Sequence, residues 1–171
     1  MRNLSSEFIE KIKKIKLVIM DVDGVLTDGG LYYSSDGLII KKFNVKDGMG
    51  AVLLKQKGII CGIMSTDVSP IITQRGERLK LDFTYIGIWN KKQKMLDLCD
   101  EYGIEAENVA FIGDDVNDLE IIGSVGVSAC PADAVDEVLN KAEYICSKRG
   151  GDGAFRELAE IILKNQNIDE D

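Results

Sequence analysis

Two carboxylates one residue apart, Asp21 and Asp23, stand where the apolar run Val18-Ile19-Met20 gives way to Gly24. Acids this close repel each other and are costly to desolvate, so a positive group belongs between them. A hard divalent cation with oxygen ligands meets that need. Taken alone, the pair fits equally well as the polar cap of a turn, where Asp is common. Three further apolar runs end in complementary chemistry. Residues 59–64 lead into Ser65-Thr66-Asp67, residues 83–86 into Gly87 and then Lys91, and residues 109–112 into Gly113-Asp114-Asp115-Val116-Asn117-Asp118. A hydroxyl, an ammonium and a second acidic cluster are thereby available to the first pair.

The composition narrows what these groups can do. The chain has no histidine, which excludes Ser-His-Asp and Cys-His catalysis, histidine-bound zinc and phosphohistidine. Acid–base work falls to carboxylates, lysine, tyrosine or thiols, and carboxylates with Mg²⁺ fit that restriction. The four cysteines, Cys61, Cys99, Cys130 and Cys146, show no metal-ligand spacing and read as reduced core thiols of a cytoplasmic protein. A formal charge of −8 argues against a nucleic-acid surface. The apolar stretches are too short to span a bilayer, and residues 5–14 form an amphipathic start rather than a signal peptide.

Positioning these groups requires a particular kind of scaffold. The 171 residues, 45% hydrophobic and 29% charged, suit one domain with a proper core. Ser69-Pro70 is an N-cap followed by proline at the first helical position. Gly58 stops a helical run over 47–57, and Gly103 closes another over 91–102. Helices alternating with short apolar runs predict an α/β fold, a Rossmann-like parallel sheet flanked by helices. In such sheets ligands bind outside the carboxyl ends of the strands, where the polar groups above would converge.

The ordered set Asp21-Val22-Asp23-Gly24-Val25, Ser65, Lys91 and Gly113-Asp114-Asp115 with Asp118 resembles the four motifs of the haloacid dehalogenase superfamily of phosphohydrolases. The resemblance covers nearly the whole chain. It implies Asp21 as the nucleophile that forms an aspartyl-phosphate, and Asp23 as the acid that protonates the leaving alkoxide and later activates water. It further implies Mg²⁺ held by Asp21, the Asp23 carbonyl and Asp114. Asp115 and Asp118 would support that shell, while Ser65 and Lys91 would bind the phosphoryl oxygens. Lys91 alone, beside Lys92 and Lys94, would read as a solvated helix face, and Ser65 alone as a turn residue.

Members of this superfamily often carry a cap domain, but here only residues 28–46 separate the first motif from the first sheet-flanking helix. That segment reads as a β-hairpin with strands over 30–33 and 38–44 around Ser34-Ser35-Asp36-Gly37. Its apolar side chains exceed what an isolated hairpin should expose. Hairpins of several copies would associate, or the hairpin would fold back on its own core. Together with Lys42-Phe43, Lys46-Asp47-Gly48 and the run 150–157, this arrangement is similar to the 3-deoxy-D-manno-octulosonate 8-phosphate phosphatase family. That likeness implies a homotetramer acting on a phosphorylated 2-keto-3-deoxy sugar acid. It also implies that the glycine-rich tail over 147–171 can approach a neighbouring subunit's site. There Lys148, Arg149 and Arg156 would suit a substrate carboxylate.

One departure bears on the substrate. Eight-carbon phosphatases of the family usually carry Thr-Gly-Arg at the second motif, where this chain has Ser65-Thr66-Asp67. Nine-carbon relatives are similar in placing an acid there, which tilts the expectation toward a nine-carbon 9-phosphate of sialic acid or KDN type. Asp67 would accept hydrogen bonds from sugar hydroxyls or orient Arg75 and Arg78. A noncatalytic assembly domain, like the appendage of animal cytidylyltransferases, is the alternative of a different class.

Overall fold

A computed structural model describes residues 4–166 of the chain. The first and last residues of the expected domain, including 167–171 of the tail, lie outside the described residues. The chain opens with α1 (Ser6–Lys13), capped by Ser5, whose side chain accepts the Phe8 N–H. Strand β1 (Leu17–Met20) follows, and its four residues are all buried. Next come β2 (Tyr32–Ser34), β3 (Gly37–Ile40), α2 (Val45–Gln56), β4 (Ile60–Met64), α3 (Pro70–Leu79), β5 (Phe83–Tyr85) and α4 (Lys91–Tyr102). The remainder is β6 (Val109–Ile112), α5 (Leu119–Ile122), β7 (Val127–Cys130), α6 (Asp136–Leu139), β8 (Tyr144–Ile145) and α7 (Ala154–Asn165).

Six strands form one parallel sheet in the order β5-β4-β1-β6-β7-β8. The side-chain period of two explains why it needs helices on both faces. Val18 and Met20 of β1 enter one core with Phe8, Ile12, Leu54, Ile72, Leu158 and Ile162. These side chains bring α1, α2, α3 and α7 onto that face. Leu17 and Ile19 enter the other core with Met95, Leu98, Ile121 and Val138, from α4, α5 and α6. Each such side chain, fully buried, contributes about 1.5–3 kcal/mol.

Strand order sets the place of the site. The chain runs from β1 outward through β4 and β5, then returns to lay β6, β7 and β8 on the other side of β1. The reversal between β1 and β6 opens a crevice at the carboxyl ends of the strands. Asp21 follows β1 directly, its N–H bonded to the Ile112 carbonyl of β6 at 3.0 Å.

The helix starts and stops agree with the sequence reading at most points. Ser69 caps α3 before Pro70, and Gly103 closes α4 in the left-handed region. Helix α2 begins two residues earlier than expected because Asn44 caps it by accepting the Lys46 N–H. The hairpin is shorter than expected. An isolated bridge between Thr27 and Phe43 closes its base, but β3 ends at Ile40 because Lys41 turns inward. Phe43 at that base packs against the core, whereas the apolar side chains beyond it stay outside: Tyr33 is 67% exposed and Ile39 55%.

Candidate active site

At the centre of the carboxyl edge lies a buried triad of charges. The Lys91 ammonium, at the first residue of α4, donates to Asp21 Oδ1 at 2.8 Å and to Asp118 Oδ1 at 2.6 Å. The Lys91 and Asp118 side chains are sealed from solvent, and Asp21 is 5% exposed. Asp118 reaches this place through the short helical turn Val116–Asp118, which Asp115 caps by accepting the Val116 N–H. The other Asp118 oxygen accepts the Asp114 N–H at 3.1 Å. Asp118 thus joins the lysine to the start of the fourth motif. Asp115 points its carboxylate back to its own turn and is exposed.

Asp114 completes the acidic cluster. One carboxylate oxygen from each of Asp21, Asp114 and Asp118 falls within 4.8 Å of the others. The first loop presses onto Asp114 so closely that a Cβ on Gly24, which has φ +83°, would meet its carboxylate. Burial, then the neighbouring Asp21, Asp118 and Asp115 charges, pushes the Asp114 carboxyl upward. Burial raises Asp21 as well, opposed by Lys91. Lys91 behaves conversely: burial lowers it, but Asp21 and Asp118 outweigh that and hold it above the ordinary lysine value. Three acids against one lysine leave a net negative pocket of oxygen donors without nitrogen or sulfur. That donor chemistry fits a hard cation such as Mg²⁺.

The remaining motif residues surround this cluster. Ser65 follows β4, is buried, and is held by its N–H to the Tyr85 carbonyl at 2.9 Å. Its Oγ accepts the Asp67 N–H at 3.1 Å, which leaves the hydroxyl proton to donate. The Asp67 carboxylate accepts the Ser69 N–H and pairs with Lys41 Nζ at 2.6 Å. Lys41 also donates to Asp23 Oδ1. Burial works against the Lys41 charge, yet Asp23 and Asp67 together keep its pKa above the ordinary value.

Lys41 is the residue the sequence did not reveal. It stands in Ile39-Ile40-Lys41-Lys42-Phe43, where either lysine reads as the polar side of a strand. Its neighbour takes that bland role: Lys42 is exposed and pairs with Asp28 at 2.7 Å.

Asp67 does not orient Arg75 or Arg78, because it is engaged by Lys41. Arg75 lies over the Phe43 ring, 5.2 Å from its centre, and donates to the Asn44 carbonyl. Arg78 is exposed on α3. Arg156 pairs with Glu160 one turn along α7.

The glycine-rich segment braces the first loop of its own chain. Gly151 donates to the Val25 carbonyl at 2.9 Å and accepts from the Asn44 side chain at 3.0 Å. Gly150 sits where a Cβ would strike the Gly24 carbonyl. Asp47 anchors the helix that follows, accepting the Arg156 N–H at 2.8 Å. Its other oxygen is buried with no partner among the described residues. Burial raises its carboxyl to about 6, against the N–H groups of Arg156 and Gly153.

A parallel sheet with an acid directly after its central strand, a buried lysine and an acidic cluster at its carboxyl edge defines a class of hydrolase. The family described as haloacid dehalogenase-like hydrolase matches residues 62–158. The chain belongs to that superfamily and, within it, to the 3-deoxy-D-manno-octulosonate 8-phosphate phosphatase-like family. The phosphatase of that name from Haemophilus influenzae is 41% identical over 157 residues, covering 92% of this chain and 87% of the relative. Its counterpart from Escherichia coli K12 is 36% identical over 163 residues, covering 95% and 87%. The Moraxella catarrhalis phosphatase, in a crystal structure with magnesium, phosphate and KDO, superposes with a TM-score of 0.92 at 38% identity. That superposition covers 96% of this chain and 94% of the other.

Proposed function

We propose that this Mg²⁺-dependent sugar acid phosphatase removes the terminal phosphate of 3-deoxy-D-manno-octulosonate 8-phosphate through an aspartyl-phosphate on Asp21. The observation that carries the reading is the buried Asp21–Lys91–Asp118 triad with Asp114 beside it. A nucleophilic carboxylate needs a cation to approach a phosphate dianion, and the sealed Lys91 gives it one fixed in place. Mg²⁺, held by Asp21, the Asp23 carbonyl and Asp114, would neutralise the phosphoryl oxygens. Asp118 would support that shell by fixing Lys91 and the Asp114 backbone, with Asp115 shaping the turn. Ser65 would donate to a phosphoryl oxygen. Asp23 would give its proton to the leaving sugar alkoxide and then take one from the attacking water.

The hairpin supports association into a tetramer. Leu31, Tyr32, Tyr33, Ile39 and Ile40 are all exposed, and two strands alone are marginal in water. A second copy's hairpin is their natural cover. In such an assembly the exposed Arg78 and Lys148, with Arg75, Arg149 and Arg156, are candidates to read a substrate carboxylate across the interface. The four buried cysteines suit a reducing cytoplasm. Among the described residues no helix is long and apolar enough to cross a membrane.

Asp67 favours a second reading, the nine-carbon 9-phosphate, because it stands where the eight-carbon enzymes usually carry arginine. Phosphate release from the two sugar acid phosphates, measured side by side with Mg²⁺ and with chelator, decides between them. The first reading expects the eight-carbon ester to give the higher kcat/KM. A clear preference for the nine-carbon ester would replace it with the second, and no Mg²⁺-dependent release from either would defeat both.

A further inference from the structure

We propose that Lys41 is a positioning residue for the acid–base carboxylate, and that Asp67 acts through Lys41 rather than on the substrate. The proposal rests on the reading of Asp23 as the proton donor to the leaving group. Lys41 directly follows β3, yet its side chain is fully buried, while Ile40 just before it is 53% exposed. A long, strongly hydrated ammonium is buried only where it is paired. Here its partners are Asp23 on the first loop and Asp67 on the second.

The geometry gives each partner a different part. Asp67 is fixed from two directions: its N–H bonds the Ser65 Oγ at 3.1 Å, and its carboxylate holds the Ser69 N–H at 3.0 Å at the cap of α3. Asp23 is held more loosely. Its side chain is 32% exposed, and Lys41 is its one side-chain partner among the described residues. The bond uses Asp23 Oδ1 and leaves Oδ2 for the leaving oxygen. A line of contacts therefore runs from the rigid cap of α3 through Asp67 and Lys41 to the carboxylate that must meet the alkoxide. Removing Lys41 frees the Asp23 rotamer and leaves two acids facing each other.

The leaving group provides the test. As the Asp21 oxygen bonds phosphorus, the ester P–O bond breaks, and a sugar alkoxide needs the Asp23 proton where p-nitrophenolate does not. For Lys41→Met, kcat/KM should fall about 100-fold on the better sugar acid phosphate. On p-nitrophenyl phosphate it should fall about fivefold or less. Lys41→Arg should restore most of the loss. Asp67→Asn, at a partly exposed position that keeps its shape, should lose about tenfold with the same substrate pattern and add nothing in the Lys41→Met background.

Equal losses on both esters in Lys41→Met would make its role merely structural and overturn the proposal. So would an Asp67→Asn effect that raises KM and persists in the double variant. Asp23→Asn separates this proposal from the reading beneath it. Loss there with none in Lys41→Met defeats the positioning role alone. Full turnover of the sugar ester by Asp23→Asn defeats the acid–base reading, and the proposal with it.

Discussion

The carboxyl edge of the sheet and the β-hairpin break the ordinary partition of residues in opposite directions. At the edge, charge is buried: Asp21, Lys41, Lys91 and Asp118 are all below a tenth exposed. On the hairpin, oil is exposed, with Tyr33 at 67% and Tyr32 at 57%. Folding alone favours neither arrangement. Burying ions costs several kcal/mol each before pairing, of order 5 kcal/mol in real proteins. Apolar side chains left in water forgo about 1.5–3 kcal/mol each. The first departure suits a reaction that needs fixed charges away from solvent, and the second suits a surface awaiting a partner. The two regions meet at Lys41, the residue by which the hairpin's closing strand enters the site.

The largest expected effect breaks the buried half alone. Asp21→Asn keeps the shape of the site, so the fold should persist by circular dichroism while turnover falls at least about 10⁴-fold. Appreciable residual turnover would remove Asp21 from the nucleophile position. The next breaks the exposed half. If the proposed tetramer forms through the hairpins, replacing Tyr33 and Ile40 by Ser should shift it toward smaller species in sedimentation equilibrium, with the monomer fold retained. An unchanged mass would show that the hairpin is not the adhesive surface.

The smallest sharpens the contrast with a buried acid outside the cluster. Asp47, faced by Arg75 and Asp152, is raised to about 6 in the fold from an ordinary 3.8. Because the shift is upward, the ionised form costs stability above about pH 6, and that cost fades as pH falls toward 4. Asp47→Asn should therefore gain on the wild type by about 2 kcal/mol at pH 8 and lose that advantage by pH 4. Thermal melts across that range check it, and a pH-independent difference would show that the fold does not shift the Asp47 pKa.

Much of the site was legible because parallel strands deliver their following residues to one edge. Apolar runs ending at Asp21, Ser65 and Gly113 therefore marked both the sheet and the chemistry. The absence of histidine narrowed that chemistry to carboxylates and lysine. Asp118 reads from the sequence as a support for the metal shell, and in the fold it bridges Lys91 and the Asp114 N–H. What stayed hidden depended on tertiary direction. Lys41 and Lys42 are neighbours of one type, and only the turn at the end of β3 sends one inward and leaves the other outside. Asp67 reads as a partner for sugar hydroxyls or for Arg75 and Arg78, and only the fold shows its carboxylate paired with the inward Lys41. Asp47 reads as an ordinary first-turn acid, and its burial against α7 arises from a contact over a hundred residues away in sequence.

The most direct test of the account is covalent trapping during turnover. Enzyme quenched rapidly while hydrolysing the sugar acid phosphate, then reduced with borohydride, should carry homoserine at position 21 in peptide mass spectra. The Asp21→Asn variant should show none. Phosphate release with no label at position 21, or with the label at Asp23, would contradict the mechanism.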